Sequence, residues 1–127
     1  MESPHVLLAD DDPFIRRIAE VALRRAGFVV TAVADGVEAL QALEDSVPDV
    51  VLLDGMMPRM DGLDVCRRIK GDPRFAHVPV VLVSARTEAS DEADGRRAGV
   101  ATYVRKPFDV RTLAAELRAV CDAAVPA

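Results

Sequence analysis

Five short apolar runs punctuate the chain: His5–Ala9, Phe28–Val33, Asp49–Leu53, Pro79–Val83 and Ala101–Arg105. All but the last are nearly unbroken in Val and Leu, the pattern of strands buried on both faces. Between them apolar residues recur at helical spacing over Pro13–Ala26, Gly36–Asp45, Asp61–Gly71 and Glu88–Ala98, with Asp109–Ala123 last. In the first helix Ile15, Ile18, Ala19 and Ala22 share one apolar face. Asp12-Pro13, Asp61 and Asp109 each offer a carboxylate N-cap, and Pro13 suits the first helical position. Gly27 and Gly99 stand where a helix is expected to end in a left-handed residue.

Five strands alternating with five helices predict a (βα)5 α/β domain. Right-handed crossovers make such a sheet parallel and doubly wound, with helices on both faces. The expected strand order is the flavodoxin-like 2-1-3-4-5, whose ligands bind at the carboxyl ends of strands one and three.

A length of 127 residues fits one compact domain. We therefore expect a single domain over residues 1–127, with its core at about residues 5–123 and no second domain in this chain. No repeat, linker or low-complexity tract interrupts it, and Ala124–Ala127 read as a tail. A net charge of −5 argues against binding driven by nucleic-acid phosphates, so no direct nucleic-acid contact is expected. No apolar run approaches the roughly 20 residues of a membrane helix. The N-terminus lacks a basic segment followed by an apolar one, which makes the expected location cytoplasmic. Cys66 and Cys121 lie on the apolar stripes of their helices, Leu63-Cys66-Ile69 and Leu113-Leu117-Val120-Cys121, and read as buried free thiols. Neither has a second Cys or a His at zinc-ligand spacing. His5 and His77 read as ordinary residues near strand starts.

The chemistry gathers at strand ends. Strand one runs into Asp10-Asp11-Asp12 and strand three into Asp54, side by side in the expected sheet. Clustered carboxylates repel and raise one another's pKa unless a cation intervenes, and hard oxygens with room for water suit Mg²⁺. Asp12 is explained by helix capping alone. Asp54 is not, because it ends an apolar strand and Gly55-Met56-Met57-Pro58 follows. Strand four ends in Ser84 and strand five in Lys106-Pro107, adding a hydroxyl and a cation at the same edge.

Four motifs then resemble, in order and spacing, those of the response-regulator receiver domains of two-component systems. They are Leu8-Ala9-Asp10-Asp11-Asp12-Pro13, Leu53-Asp54-Gly55-Met56-Met57-Pro58 with Met60-Asp61-Gly62, Val83-Ser84-Ala85, and Tyr103-Val104-Arg105-Lys106-Pro107-Phe108. The likeness runs from about Val6 to Val120. It implies a phosphorelay protein in which Asp54 accepts a phosphoryl group from the phosphohistidine of a sensor histidine kinase or phosphotransfer protein. The likeness further implies that Asp11 ligates Mg²⁺ directly, that Asp10 acts mainly through water, and that Asp54 and the Met56 carbonyl complete the protein ligands. Lys106 would pair with Asp54 and then with the phosphoryl oxygens, and Ser84 would hydrogen-bond them. Phosphoryl transfer asks mostly for positioning and charge neutralisation. A cis Lys106–Pro107 bond is also implied.

The same resemblance makes Ser84 and Tyr103 a switch pair, with the output passing through the fourth helix, the fifth strand and the last helix to a downstream protein target or effector domain. In Glu88–Ala98 the apolar residues are few and small (Ala89, Ala93, Ala98) and Gly95 interrupts them, so little buried area would hold that helix. Met56 and Arg86 stand where they would hinder attacking water and set the phosphoryl lifetime. Ala101-Thr102 replaces an acidic pair frequent in receivers that dimerise through this face, which weakens the expectation of that phosphorylation-dependent dimer.

Other readings stay open at this point. An aspartyl phosphatase would carry an acid two residues after its nucleophile, where Met56 stands, and a flavin carrier would not place Asp10–Asp12 against a phosphate. Not a turnover enzyme but a phosphoacceptor is therefore expected, with a receiver-fold interaction module not regulated by phosphorylation as the alternative.

Overall fold

The computed structural model describes residues 3–55, 57, 60–84, 96–106 and 108–124. Five parallel strands, β1 (His5–Ala9), β2 (Val29–Val33), β3 (Val50–Asp54), β4 (Val80–Ser84) and β5 (Thr102–Arg105), form one sheet in the order β2-β1-β3-β4-β5. Helices α1 (Pro13–Arg25), α2 (Gly36–Asp45) and α3 (Gly62–Gly71), with a C-terminal helix (Val110–Ala124), cover the sheet. The expected strand order and alternation are found. Of the predicted helix Glu88–Ala98, only residues 96–98 are described, and they are helical. The expectation that Gly95 and small apolar residues leave that helix weakly held lies outside the described residues.

The unbroken apolar runs resolve into two cores by strand alternation. Leu7, Val51, Leu53, Val80 and Leu82 face one side, against Ala39 and Leu43 of α2 and Val65, Cys66 and Ile69 of α3. Val6, Leu8, Val50, Leu52, Val81 and Val83 face the other, against Ala19 and Leu23 of α1 and Leu113 and Leu117 of the C-terminal helix. Every residue of β3 and β4 is buried, including Asp54 and Ser84 at their last positions. These two strands therefore carry polar side chains only at their carboxyl ends.

Local signals act as read. Asp12 accepts from the amides of Phe14 and Ile15, Asp61 from that of Asp64, and Asp109 from those of Arg111 and Thr112. Gly27 and Gly99 take φ values of 99° and 96°. The buried stripe of α1 differs from expectation: Ala19 and Leu23 fill it, while Ile18 is 43% exposed at its edge. Leu23, one turn beyond Ala19 and outside the expected stripe, carries the packing that Ile18 was expected to share. Both cysteines are free, Cys66 buried and Cys121 only half-buried. Among the described residues no helix is long and apolar enough to cross a membrane.

Candidate functional site

β1 and β3 are neighbours in the middle of the sheet, with Ala9 opposite Leu53, so Asp10 and Asp54 emerge together. Asp10 is anchored through its amide to the Val33 carbonyl at 3.2 Å, and Gly55 through its amide to the Val83 carbonyl at 2.8 Å. Both carboxylates are 5% exposed. On the other side β4 brings Ser84, 3% exposed, alongside Gly55, where an added Cβ would stand 3.3 Å from the Ser84 Cβ. Lys106 follows β5 and donates its amide to the Ser84 carbonyl at 2.8 Å. Its Nζ then lies 3.2 Å from Asp54 Oδ2 and 4.0 Å from Asp10 Oδ2.

Burial pushes the Asp10 carboxyl up to about 6. The Asp12 amide and the Lys106 ammonium pull it down, while the Asp54 charge and a hydrogen bond to Asp54 add to the rise. Lys106 alone therefore does not neutralise the cluster. One carboxylate oxygen from each of Asp10, Asp11 and Asp54 falls within 4.8 Å of the others. Asp11 is exposed, so the group opens to water on that side. Three hard oxygens, under-compensated charge and an aqueous face fit a small divalent cation that keeps part of its hydration.

Asp10, Asp11, Asp54, Ser84 and Lys106 are thus brought together as the sequence suggested. Tyr103 is half-buried on β5, opposite Leu82, and packs against the core on the α2 and α3 side. Met56, Arg86 and the Lys106–Pro107 bond lie outside the described residues, as does everything expected of them. Four supporting residues carry weight that sequence reading missed. Asp35 caps α2 by accepting from the Glu38 amide, and Glu38 accepts from the Ala34 amide, both at 2.9 Å. The Asp35-x-x-Glu38 spacing is a capping-box signature and was legible. Gly62 lets α3 start against the site, since a Cβ there would meet the Asp54 carbonyl oxygen at 2.6 Å. Arg16 donates from Nη1 to the Asp10 carbonyl at 2.8 Å, a contact without any sequence signal.

The chain is similar over most of its length to known proteins. It is 45% identical over 119 residues to the transcriptional regulatory protein CseB of Streptomyces avermitilis, covering 94% of this chain and 49% of that one. It is 40% identical over 114 residues to the DNA-binding response regulator MtrA of Mycolicibacterium smegmatis, covering 90% of this chain and 49% of the relative. The chain therefore spans about half the length of these relatives. Among solved structures, the receiver domain of a sensor histidine kinase from Pseudomonas aeruginosa PAO1 superposes with a TM-score of 0.86 at 30% identity, covering 94% of this chain and 98% of that one. That protein carries a magnesium ion in its active-site cleft.

These findings correct one expectation. The net charge of −5 suggested no direct contact with nucleic acid, yet the relatives are transcriptional regulators and MtrA is a DNA-binding one. The charge of a single domain weighs only that domain's surface, and this chain corresponds to half of each relative, so the argument had no hold on the protein-level partner. The relatives are regulators rather than enzymes by name. Residues 6–118 match the family model of the response regulator receiver domain, and with the 2-1-3-4-5 sheet beneath that match the chain belongs to the receiver domains of two-component response regulators.

Proposed function

We propose that Asp54 is the phosphoacceptor of this receiver domain and that the acceptor reaction uses Mg²⁺ held by Asp11 and Asp54, with Asp10 behind them. The observation that carries the reading is the contact of 3.2 Å between Lys106 Nζ and Asp54 Oδ2, inside a cluster of three carboxylates. An Asp54 oxygen attacks the phosphorus of a phosphohistidine, forming an acyl phosphate as the phosphorus–nitrogen bond to the donor imidazole breaks. The lysine ammonium, already beside that oxygen, balances charge on the incoming phosphoryl group. Ser84, at the adjacent strand end, is placed to donate its hydroxyl to the same group. Bound Mg²⁺ supplies charge neutralisation for the carboxylates and the phosphoryl oxygens.

On this reading the chain is a phosphoacceptor rather than a turnover enzyme, its donor a sensor histidine kinase or phosphotransfer protein. Ser84 and half-buried Tyr103, on neighbouring strands, carry the state of Asp54 toward the β5 face. The whole protein, by the likeness to CseB and MtrA, delivers that state to a transcriptional output on DNA. Reductive trapping with borohydride after incubation with a small-molecule phosphodonor tests the assignment, because it converts an aspartyl phosphate to homoserine. Peptide mapping should find homoserine at position 54. Homoserine elsewhere, or none despite Mg²⁺ uptake, contradicts it, and the second result favours an interaction module.

A further inference from the structure

The turn that carries Asp10, Asp11 and Asp12 is tied down through its first and last residues. Asp10 donates its amide to Val33 of β2, and its Oδ1 accepts from the Asp12 amide at 2.9 Å. Asp12 Oδ1 accepts from Phe14 and Ile15 at 2.9 and 3.2 Å. The two backbone acceptors on either side of Asp11 are both taken by one residue. The Arg16 amide donates to the Asp12 carbonyl at 2.9 Å, as the helix requires, and the Arg16 guanidinium reaches back to the Asp10 carbonyl at 2.8 Å. Helical side chains point toward the N-terminus, which brings a long residue in the second turn of α1 over the turn that precedes it. Arg16 is half-buried in doing so. Its neighbour Arg17 is not: its side chain is 74% exposed and lies 3.6 Å from Glu20.

Of the turn's three carboxylates, only that of Asp11, exposed at the middle of this clamp, takes no hydrogen bond among the described residues. The plane of the Asp10–Asp11 peptide decides where that carboxylate stands, and Arg16 is what holds the carbonyl of that plane. We propose that Arg16 is a positioning residue for the cation site: by clamping both sides of Asp11 it fixes the one open carboxylate of the acidic turn at the distance from Asp10 and Asp54 that a divalent cation needs. This rests on the proposal that Asp11 and Asp54 hold Mg²⁺. It runs against simple electrostatics, because a positive guanidinium near the site repels a cation; the benefit has to come from geometry. Partners behind metal ligands commonly matter by about tenfold or more in metal affinity.

The opposing signs make the test sharp. Mg²⁺ affinity is measured by titration calorimetry on the native protein and on Arg16→Met, Arg16→Lys and Arg17→Met, with metal-free melting temperatures alongside. Arg16→Met should bind Mg²⁺ about tenfold more weakly. Arg16→Lys keeps the charge but loses the planar fork, and should fall between Met and native. Arg17→Met removes the same charge from the same helix without touching the turn, and should match native or bind slightly tighter. Arg16→Met binding as tightly as native, or tighter, overturns the inference, whatever its melting temperature; so does Arg16→Lys binding as native does, should Arg16→Met not fold. A native protein that takes up no Mg²⁺ overturns the acceptor-site reading itself and the inference with it, and is distinguished by the first titration.

Discussion

Replacing Asp10 with Asn should stabilise the metal-free protein at neutral pH, although it removes a partner of Lys106. Asp10 is 5% exposed and shares its site with a second buried carboxylate, and its pKa is raised from 3.8 to about 6. An acid whose folded pKa lies above its unfolded one destabilises the fold when ionised. The cost is absent below the unfolded pKa of about 4, grows as pH rises from there, and is fully present above the folded value of about 6. The difference corresponds to at most about 3 kcal/mol. Asn keeps an oxygen for the Asp12 amide, now 2.9 Å from Asp10 Oδ1, but gives up the attraction to Lys106 at 4.0 Å. The net gain should therefore be about 1–2 kcal/mol at pH 7.5, or roughly 4–8 °C in melting temperature for a domain of this size. Calorimetric melting in EDTA from pH 4 to pH 8 measures it. The gap between variant and native should close toward pH 4. At millimolar Mg²⁺ it should narrow from the other side, because the native protein gains more from the ion. No stabilisation at pH 7.5, or a gain that does not change with pH, refutes the reasoning.

Other consequences follow from the packing. Gly62→Ala places a Cβ 2.6 Å from the Asp54 carbonyl oxygen and 3.0 Å from Gly55 Cα, both backbone atoms that cannot swing aside. It should cost about 1–3 kcal/mol in urea unfolding and, on the proposed role of Asp54, slow phosphoryl uptake as well, because α3 must back away from β3. Gly71→Ala, with nothing within 4 Å, is its control and should leave uptake unchanged. Leu117→Ala empties a fully buried position between the C-terminal helix and the sheet and should cost about 2–5 kcal/mol by the same measurement. Burial raises both thiol pKa values, that of Cys121 with added push from Asp49 and Asp122, so access decides: Cys66 is buried with its Sγ donating to the Ala98 carbonyl at 3.2 Å, and Cys121 is half-buried. Alkylation at pH 8 should therefore modify half-buried Cys121 ahead of Cys66, read by peptide mass, and the two should react alike only in denaturant.

Much of this architecture was legible because the signals were local and agreed with one another. Helix α2 begins at Gly36 and ends at Asp45, as its apolar spacing indicated, and β1 spans His5–Ala9. The remaining strands start one residue later than the hydrophobic pattern suggested, and β3 and β4 run on to include Asp54 and Ser84. That shift has a physical origin: the ladder continues as long as backbone partners exist, so it carries a polar side chain into a buried last position that hydropathy alone ends too early. The site residues were readable because each sits at a strand end, and the topology converts ends of successive strands into neighbours. Arg16 was not readable, since a guanidinium reaching six residues back to a carbonyl depends on the path of the turn. Neither was the burial of Asp35, which follows from packing around the α2 N-terminus. The reading about nucleic acid failed for a different reason. It took the charge of this domain for a property of the whole protein.

The central claim is that Asp54 accepts a phosphoryl group with the help of Mg²⁺. Its most direct test is intact mass after incubation with a small-molecule phosphodonor, with and without Mg²⁺, for the native protein and Asp54→Asn. A single phosphoryl adduct is expected on the native protein, requiring Mg²⁺ and absent from the variant. An adduct that persists in Asp54→Asn, or none on a native protein shown to bind Mg²⁺, would contradict it.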